Sequence, residues 1–265
     1  MYRGFNVDLQ NIDKENIIGY KIYIEELYKG MVSQVRSSLE EYISVDNSLD
    51  GEKMQKDWFP EINADIFLSH SHRNEDIIIG FAGWLYHKFG LISFIDSQIW
   101  GYSNDLLKKI DNKFCFQETS KTYNYNLRNE STSHVHMMLL VALAKMLDKT
   151  ECLFFINTGD STIKVSETIN KTKSPWIYSE IAISQMIRVQ KLNRNRTVKL
   201  FESGGEIQKS FSVTVPVNHP LDLSHLSDLS IDDINNWYTL YNKNKQLSTY
   251  KKYPLDLLYY MNLKK

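Results

Sequence analysis

The feature that most constrains this chain is a repeated alternation of short, almost wholly apolar runs with polar turns and helical patterns. ADIFLS (64–69) leads into HSHRNED and then the helical IIIGFAGWLYHKF (77–89). LISFID (91–96) leads into SQIWGYS and then NDLLKKIDNKF (104–114), and ECLFFIN (151–157) follows a helical HVHMMLLVALAKMLD (134–148). A strand that is apolar on both faces must be covered on both, and strands that alternate with helices pair in parallel. The pattern therefore predicts an α/β fold, a parallel five-stranded sheet with helices on both faces. TVKLFE (197–202) supplies a fourth strand and FSVTVPV (211–217) a fifth, placed at an edge because Pro216 cannot donate to a ladder. Helices are expected from Ser174 onward, over 230–243 with Ser230 as N-cap and Asp232 and Asp233 in the first turn, and over YPLDLLYYMN near the end.

Outside this core the texture differs. Residues 16–45 carry apolar side chains at mixed three- and four-residue spacing, as one or two amphipathic helices would, and DNSLDGEKMQKD (46–57) reads as a linker. The polar, aromatic stretch 117–133 reads as an insertion. The expected organisation is a helical N-terminal extension (1–60), an α/β domain (61–220) and a helical C-terminal extension packed on it (221–265). Aromatic residues in the flanks, among them Tyr20, Tyr28, Trp237, Tyr241 and Tyr259, are expected to serve that packing.

Composition excludes several classes of function. The formal net charge of −1 leaves no basic excess to neutralise phosphates, so a nucleic-acid partner is not expected. The longest apolar run, MMLLVALA (137–144), is far short of the ~20 residues of a membrane helix, and MYRGFNVDLQ lacks the pattern of a signal peptide. A cytoplasmic protein without membrane contact is expected. Cys115 and Cys152 give neither a disulfide framework nor zinc spacing, and Cys152 in its apolar run reads as a buried thiol. No glycine-rich dinucleotide or nucleoside-triphosphate loop is present. His70/His72, just after a strand, and His134/His136, at a helix start, form two H-x-H pairs. Residues two apart on a helix do not face each other, so His134 and His136 make a poor chelating pair; His70 has a competing role as a ligand-contacting ring, and metal is not expected.

SPWIYSEI (174–181) raises a sharper question. Ser174 is a good N-cap and Pro175 suits the first helical position. On that helix Glu180 shares a face with Trp176, Ile177, Ile183, Ser184 and Ile187, and no residue three or four positions away is Lys or Arg. A carboxylate is thus placed on an apolar face without a partner in its own helix. Either a base from another element neutralises it, or the site needs its charge.

Four stretches in order carry a resemblance. Phe67-Leu68-Ser69-His70 matches a first-strand signature F-[IL]-S-[YH], and Phe94-Ile95-Asp96 matches an F-x-D element that leads into a "BB loop", here 97–103. CLFFINT supplies the next strand, and Ser174, Trp176 and Glu180 match a helix that begins S-x-W-x-x-x-E. Over about 64–217 the chain resembles the TIR domain, whose fold is a flavodoxin-like sheet. Some members of that family act as assembly modules. Many bacterial, plant and neuronal members cleave NAD with the helix glutamate, and several bacterial ones, including those of Thoeris phage defence, make signalling derivatives of ADP-ribose.

The resemblance implies that Glu180 is catalytic and that NAD is a substrate, with no cofactor. It places Ser69, His70, Ser71, Asp96, Trp100 and Trp176 around the substrate. Each has a structural alternative. Ser69 and Ser71 could meet phosphate or end a strand, Asp96 could bind a ribose hydroxyl or cap the loop, and Trp176 could shape the pocket or fill the core. Trp100 could stack from an exposed loop or lie buried against the next helix. Where some NAD-cleaving relatives have Arg after the Tyr/His of the first motif, this chain has Ser71, then His72 and Arg73, so the residue meeting the diphosphate stays open among these. A homo-oligomer joined through the BB loop and a downstream nucleotide-sensing effector are the implied partners. NAD depletion and a non-catalytic module are the alternative functions.

Overall fold

The structure, a computed structural model, describes residues 1–31, 38–100, 103–158, 163–164, 170–192, 217–247 and 253–262. Its elements begin with β1 (Arg3–Asp8), α1 (Lys14–Ile18), α2 (Ile22–Met31), α3 (Gly51–Trp58), β2 (Ile66–Ser69) and α4 (Glu75–Phe89). Then come β3 (Ser93–Phe94), α5 (Asp96–Ile99), α6 (Ser103–Ile110), β4 (Phe116–Gln117), β5 (Thr122–Tyr123), α7 (Tyr125–Lys149) and β6 (Cys152–Asn157). The chain ends through β7 (Ile163–Lys164), β8 (Asn170–Thr172), α8 (Pro175–Met186), β9 (His219–Leu221), β10 (Ser227–Leu229), α9 (Ile231–Leu247) and α10 (Pro254–Asn262). Among the described residues no helix is long and apolar enough to cross a membrane.

Five strands form one sheet in the order β10-β1-β6-β2-β3, and every neighbouring pair is parallel. Its centre is apolar on both faces. Phe154 meets Phe81 of α4 and Trp237 of α9 on one side, while Leu153 and Phe155, which point the other way, are also fully buried. The α/β class and the parallel five-stranded sheet are therefore as the alternation predicts. β2, β3 and β6 coincide with the three strongest apolar runs, and their order β3-β2-β6 matches the second-first-third order of a flavodoxin-like sheet.

The remaining strands come from elsewhere than expected. Residues 1–60 are not a purely helical extension, because β1 lies inside the sheet between β6 and β10. Its Phe5 and Val7 are fully buried, while Asn6, partly buried on the opposite face, donates from its side chain to Asp228 at 2.8 Å. Residues 221–265 likewise contribute β10 besides helices α9 and α10. The predicted strands 197–202 and 211–217 lie outside the described residues, except Val217.

Two further expectations are corrected. The supposed linker is mostly helix: Asp50 caps α3 by accepting from the Lys53 amide at 3.0 Å, and Met54 and Trp58, one turn apart, bury its apolar side. The supposed insertion is the β4–β5 hairpin followed by the first two turns of α7, started by Asn124, whose side chain accepts from the Asn126 and Leu127 amides. The segment before α2 also packs closely on α4. A Cβ at Gly80 or Gly83 would collide with the carbonyls of Ile17 and Tyr20, so these two glycines are needed for that approach.

Candidate functional site

The chain leaves β2 toward β3 and returns across it to β6, so the carboxyl ends of β2 and β6 flank a topological switch point. Open α/β sheets leave a crevice at such a point. Ser69 ends β2 and stands opposite Phe155, Asp96 follows β3, and Asn157 ends β6. α8 brings Glu180 to the same place. Its start is fixed as the sequence predicts, with Ser174 Oγ accepting from the Ile177 amide at 3.2 Å and Pro175 in the first turn. Ile177, Ile181 and Ser184 bury the face on which Glu180 sits.

Glu180 is 3% exposed, and the Ser69 hydroxyl donates to its Oε2 at 2.5 Å. Among the described residues no base forms an ion pair with it. Burial drives the Glu180 carboxyl well above the usual carboxylate range, the negative charge of Asp96 adds to the rise, and the Ser69 hydrogen bond opposes it. The alternative of a neutralising base is thus not met among the described residues. What stands there instead is a buried carboxyl with one hydroxyl donor and a second carboxyl nearby. Such a pair is relieved when a cation enters between its members.

The other expected residues divide. Asp96 is half-buried and begins α5, close enough to act on Glu180 electrostatically. Trp176 is half-buried one turn before Glu180 and sets its ring edge-on to His136, centroids 5.4 Å apart. Burial lowers the His136 pKa, which keeps that ring neutral near pH 7. His70 is buried, its Nδ1 3.1 Å from the Leu68 carbonyl, and that carbonyl can only accept, so Nδ1 carries the hydrogen. Ser71 is half-buried and starts the turn 72–74.

Trp100 is a correction. It is 2% exposed, lies edge-on to Phe94 (4.8 Å) and Phe59 (5.7 Å), and donates its indole N–H to the Pro60 carbonyl at 2.8 Å. The stretch read as an open loop begins with the helical turn α5, which rotates this ring inward. Trp100 therefore presents no surface to a substrate or a neighbouring subunit, and the expected oligomer loses the residue that argued for it.

Two residues that the sequence did not single out tie the crevice loops together. Glu75, the first residue of α4, accepts from the Ser97 hydroxyl at 2.8 Å and the Gln98 amide at 2.7 Å. Asn74 donates to the Thr158 hydroxyl at 2.8 Å, joining the loop after β2 to the loop after β6. Their signal was the polar run HSHRNED directly after a strand, too generic to rank one member above another. Among the described residues no group of three or more His, Cys, Asp or Glu is placed to hold a metal ion. Searches of protein-family models, curated proteins and solved structures found no match for this chain.

Proposed function

We propose that this protein is a TIR-like enzyme that cleaves the nicotinamide–ribose bond of NAD and releases an ADP-ribose-derived nucleotide signal. The observation that carries this reading is the buried Glu180 carboxyl, held by Ser69 beside Asp96 at the switch point, with no base among the described residues to neutralise it. The leaving group is a neutral pyridine that needs no proton, so one carboxylate serves where a glycosidase needs two. Positive charge develops on the ribose as the bond breaks. A carboxylate ~4 Å away is worth about 4 kcal/mol at an effective dielectric near 20, on the order of 10³ in rate.

The raised pKa of Glu180 fits this chemistry through its substrate. The nicotinamide ring of NAD is already cationic, and its arrival favours the ionised carboxyl that the empty site disfavours. Incubation of the protein with NAD, followed by mass spectrometry, tests the reading. Cyclic or conjugated ADP-ribose supports the signalling enzyme, plain ADP-ribose with rapid NAD loss indicates a depleting hydrolase, and intact NAD at high protein concentration indicates an assembly module.

The pH dependence follows from the same group. Turnover per NAD-free enzyme, read as kcat/KM, is expected to fall as pH drops through the raised pKa of Glu180, since only the ionised form stabilises the cation. Ser69→Ala removes the hydrogen bond that favours ionisation, so the acid limb of kcat/KM is expected to move to higher pH. An unchanged limb in that variant would detach Ser69 from the control of Glu180.

A further inference from the structure

Breaking the nicotinamide–ribose bond asks for one carboxylate, yet a second stands beside it. Phe67 of β2 pairs with Phe94 of β3, and Ile95 continues the second strand in extended conformation. Ser69 and Asp96, each two residues on, therefore come to neighbouring positions at the carboxyl edge of the sheet. Ser69 is the residue that holds Glu180, and the charge of Asp96 acts on the same carboxyl.

The fold gives the Asp96 side chain no work. An aspartate at a helix start commonly caps it by accepting from an amide. Here Ile95 occupies the cap position, and among the described residues the Asp96 carboxylate has no hydrogen bond or ion pair. The nearest side-chain donors in sequence, the Ser97 hydroxyl and the Gln98 amide, both turn to Glu75 instead. The backbone of Asp96 closes the α5 turn by accepting from the Trp100 amide, and its half-buried carboxylate is left free beside Glu180.

We propose that Asp96 is the general base of the capture step, taking the proton from a hydroxyl acceptor as that hydroxyl bonds to the ribosyl cation. The inference rests on the reading that NAD is cleaved at Glu180. The carbon–nitrogen bond breaks and its electron pair leaves on nicotinamide. A lone pair of the acceptor oxygen then forms the bond to the anomeric carbon. The O–H proton passes to the Asp96 carboxylate and from there to water, so NAD and one hydroxyl give nicotinamide, the new C–O product and one proton. With water as acceptor the product is ADP-ribose; with a hydroxyl of the same nucleotide it is a cyclic ether. Glu180 is poorly suited to this second task, because its charge must persist until the cation is captured. A positioned base contributes about 10²–10⁴ to such a transfer.

The test uses an acceptor that needs no base. 3-Acetylpyridine attacks the same cation through a ring nitrogen that carries no proton. With NAD and acetylpyridine at fixed concentrations, mass spectrometry reads the ratio of oxygen-linked products to the acetylpyridine dinucleotide formed by exchange. Asp96→Asn keeps the shape and an acceptor for a ribose hydroxyl but cannot take up the proton. It is expected to lower that ratio at least about tenfold while exchange persists. The acid limb of exchange should also move to lower pH, since the charge that helps raise the Glu180 pKa is gone. Asp96→Glu should restore part of the ratio, and Asp96→Ala gives the same reading if the amide variant misfolds. An unchanged ratio, as a residue that only binds ribose would give, overturns the role. So does joint loss of both reactions in a variant that melts like the wild type, or a wild-type enzyme whose products are linked only through nitrogen. Wild-type protein that neither exchanges nor consumes NAD overturns the NAD reading itself, and this inference with it.

Discussion

Glu180→Gln is expected to reduce NAD turnover by roughly 10²–10⁴ while raising the melting temperature. The amide keeps the shape of the side chain, and its oxygen can still accept the Ser69 hydroxyl, so little changes but the charge. Loss of an electrostatic interaction made in the transition state costs about 3–5 kcal/mol, which is that range in rate. NAD binding should weaken far less than turnover falls, because full cation character at the ribose exists only in the transition state.

The stability half of this prediction has a definite sign with pH. The folded-state pKa of Glu180 is raised, mainly by burial and then by Asp96. The carboxyl therefore contributes stability that is fully present below its unfolded value and is lost as pH rises through the folded one. Glutamine does not titrate. The variant's advantage should accordingly be small near pH 4 and grow as pH rises through the raised pKa of Glu180, each 1 kcal/mol adding roughly 2–4 °C in a chain of this size. Parallel wild-type and variant melting profiles over that range would contradict a buried, strained Glu180. A destabilised variant with normal turnover per folded molecule would end the catalytic reading.

What could be read from the residues alone follows a physical boundary. Ile66–Ser69 and Cys152–Asn157 were legible because strands buried on both faces have nowhere to put a polar side chain. Arg3–Asp8 was not, although it sits in the interior of the same sheet, because Asn6 and Asp8 interrupt its apolar residues and its pairing with Cys152–Asn157 spans most of the chain. The helix of Glu180 was legible from its cap, since Ser174 and Pro175 act locally. The partner of Glu180 was harder, because the Ser69 hydrogen bond joins residues 111 positions apart. Tertiary packing likewise decided Gly51–Trp58, where the linker-like composition hid the one-turn spacing of Met54 and Trp58.

Trp100 shows the same limit most plainly, and Trp100→Ala carries the second large effect. Its neighbours Gly101, Tyr102 and Ser103 read as loop, yet its ring is buried against Phe94 and Phe59 with its N–H on the Pro60 carbonyl. Truncation would leave a cavity at that place and take the indole donor from a carbonyl. Such changes cost about 3–5 kcal/mol, a fall of roughly 6–20 °C in melting temperature for a chain of this length. Trp100→Phe keeps a ring against Phe94 and loses mainly the hydrogen bond, so it should cost about 1–3 kcal/mol. An exposed loop tryptophan would behave in the opposite way, with melting unchanged and the loss confined to activity or assembly. Because the Trp100 amide donates to the Asp96 carbonyl at 2.8 Å, closing the turn that carries the crevice carboxyl, a marginally folded Trp100→Ala should also turn over NAD more slowly per folded molecule. Melting curves and turnover of both variants, corrected for the folded fraction, separate the buried anchor from the exposed loop.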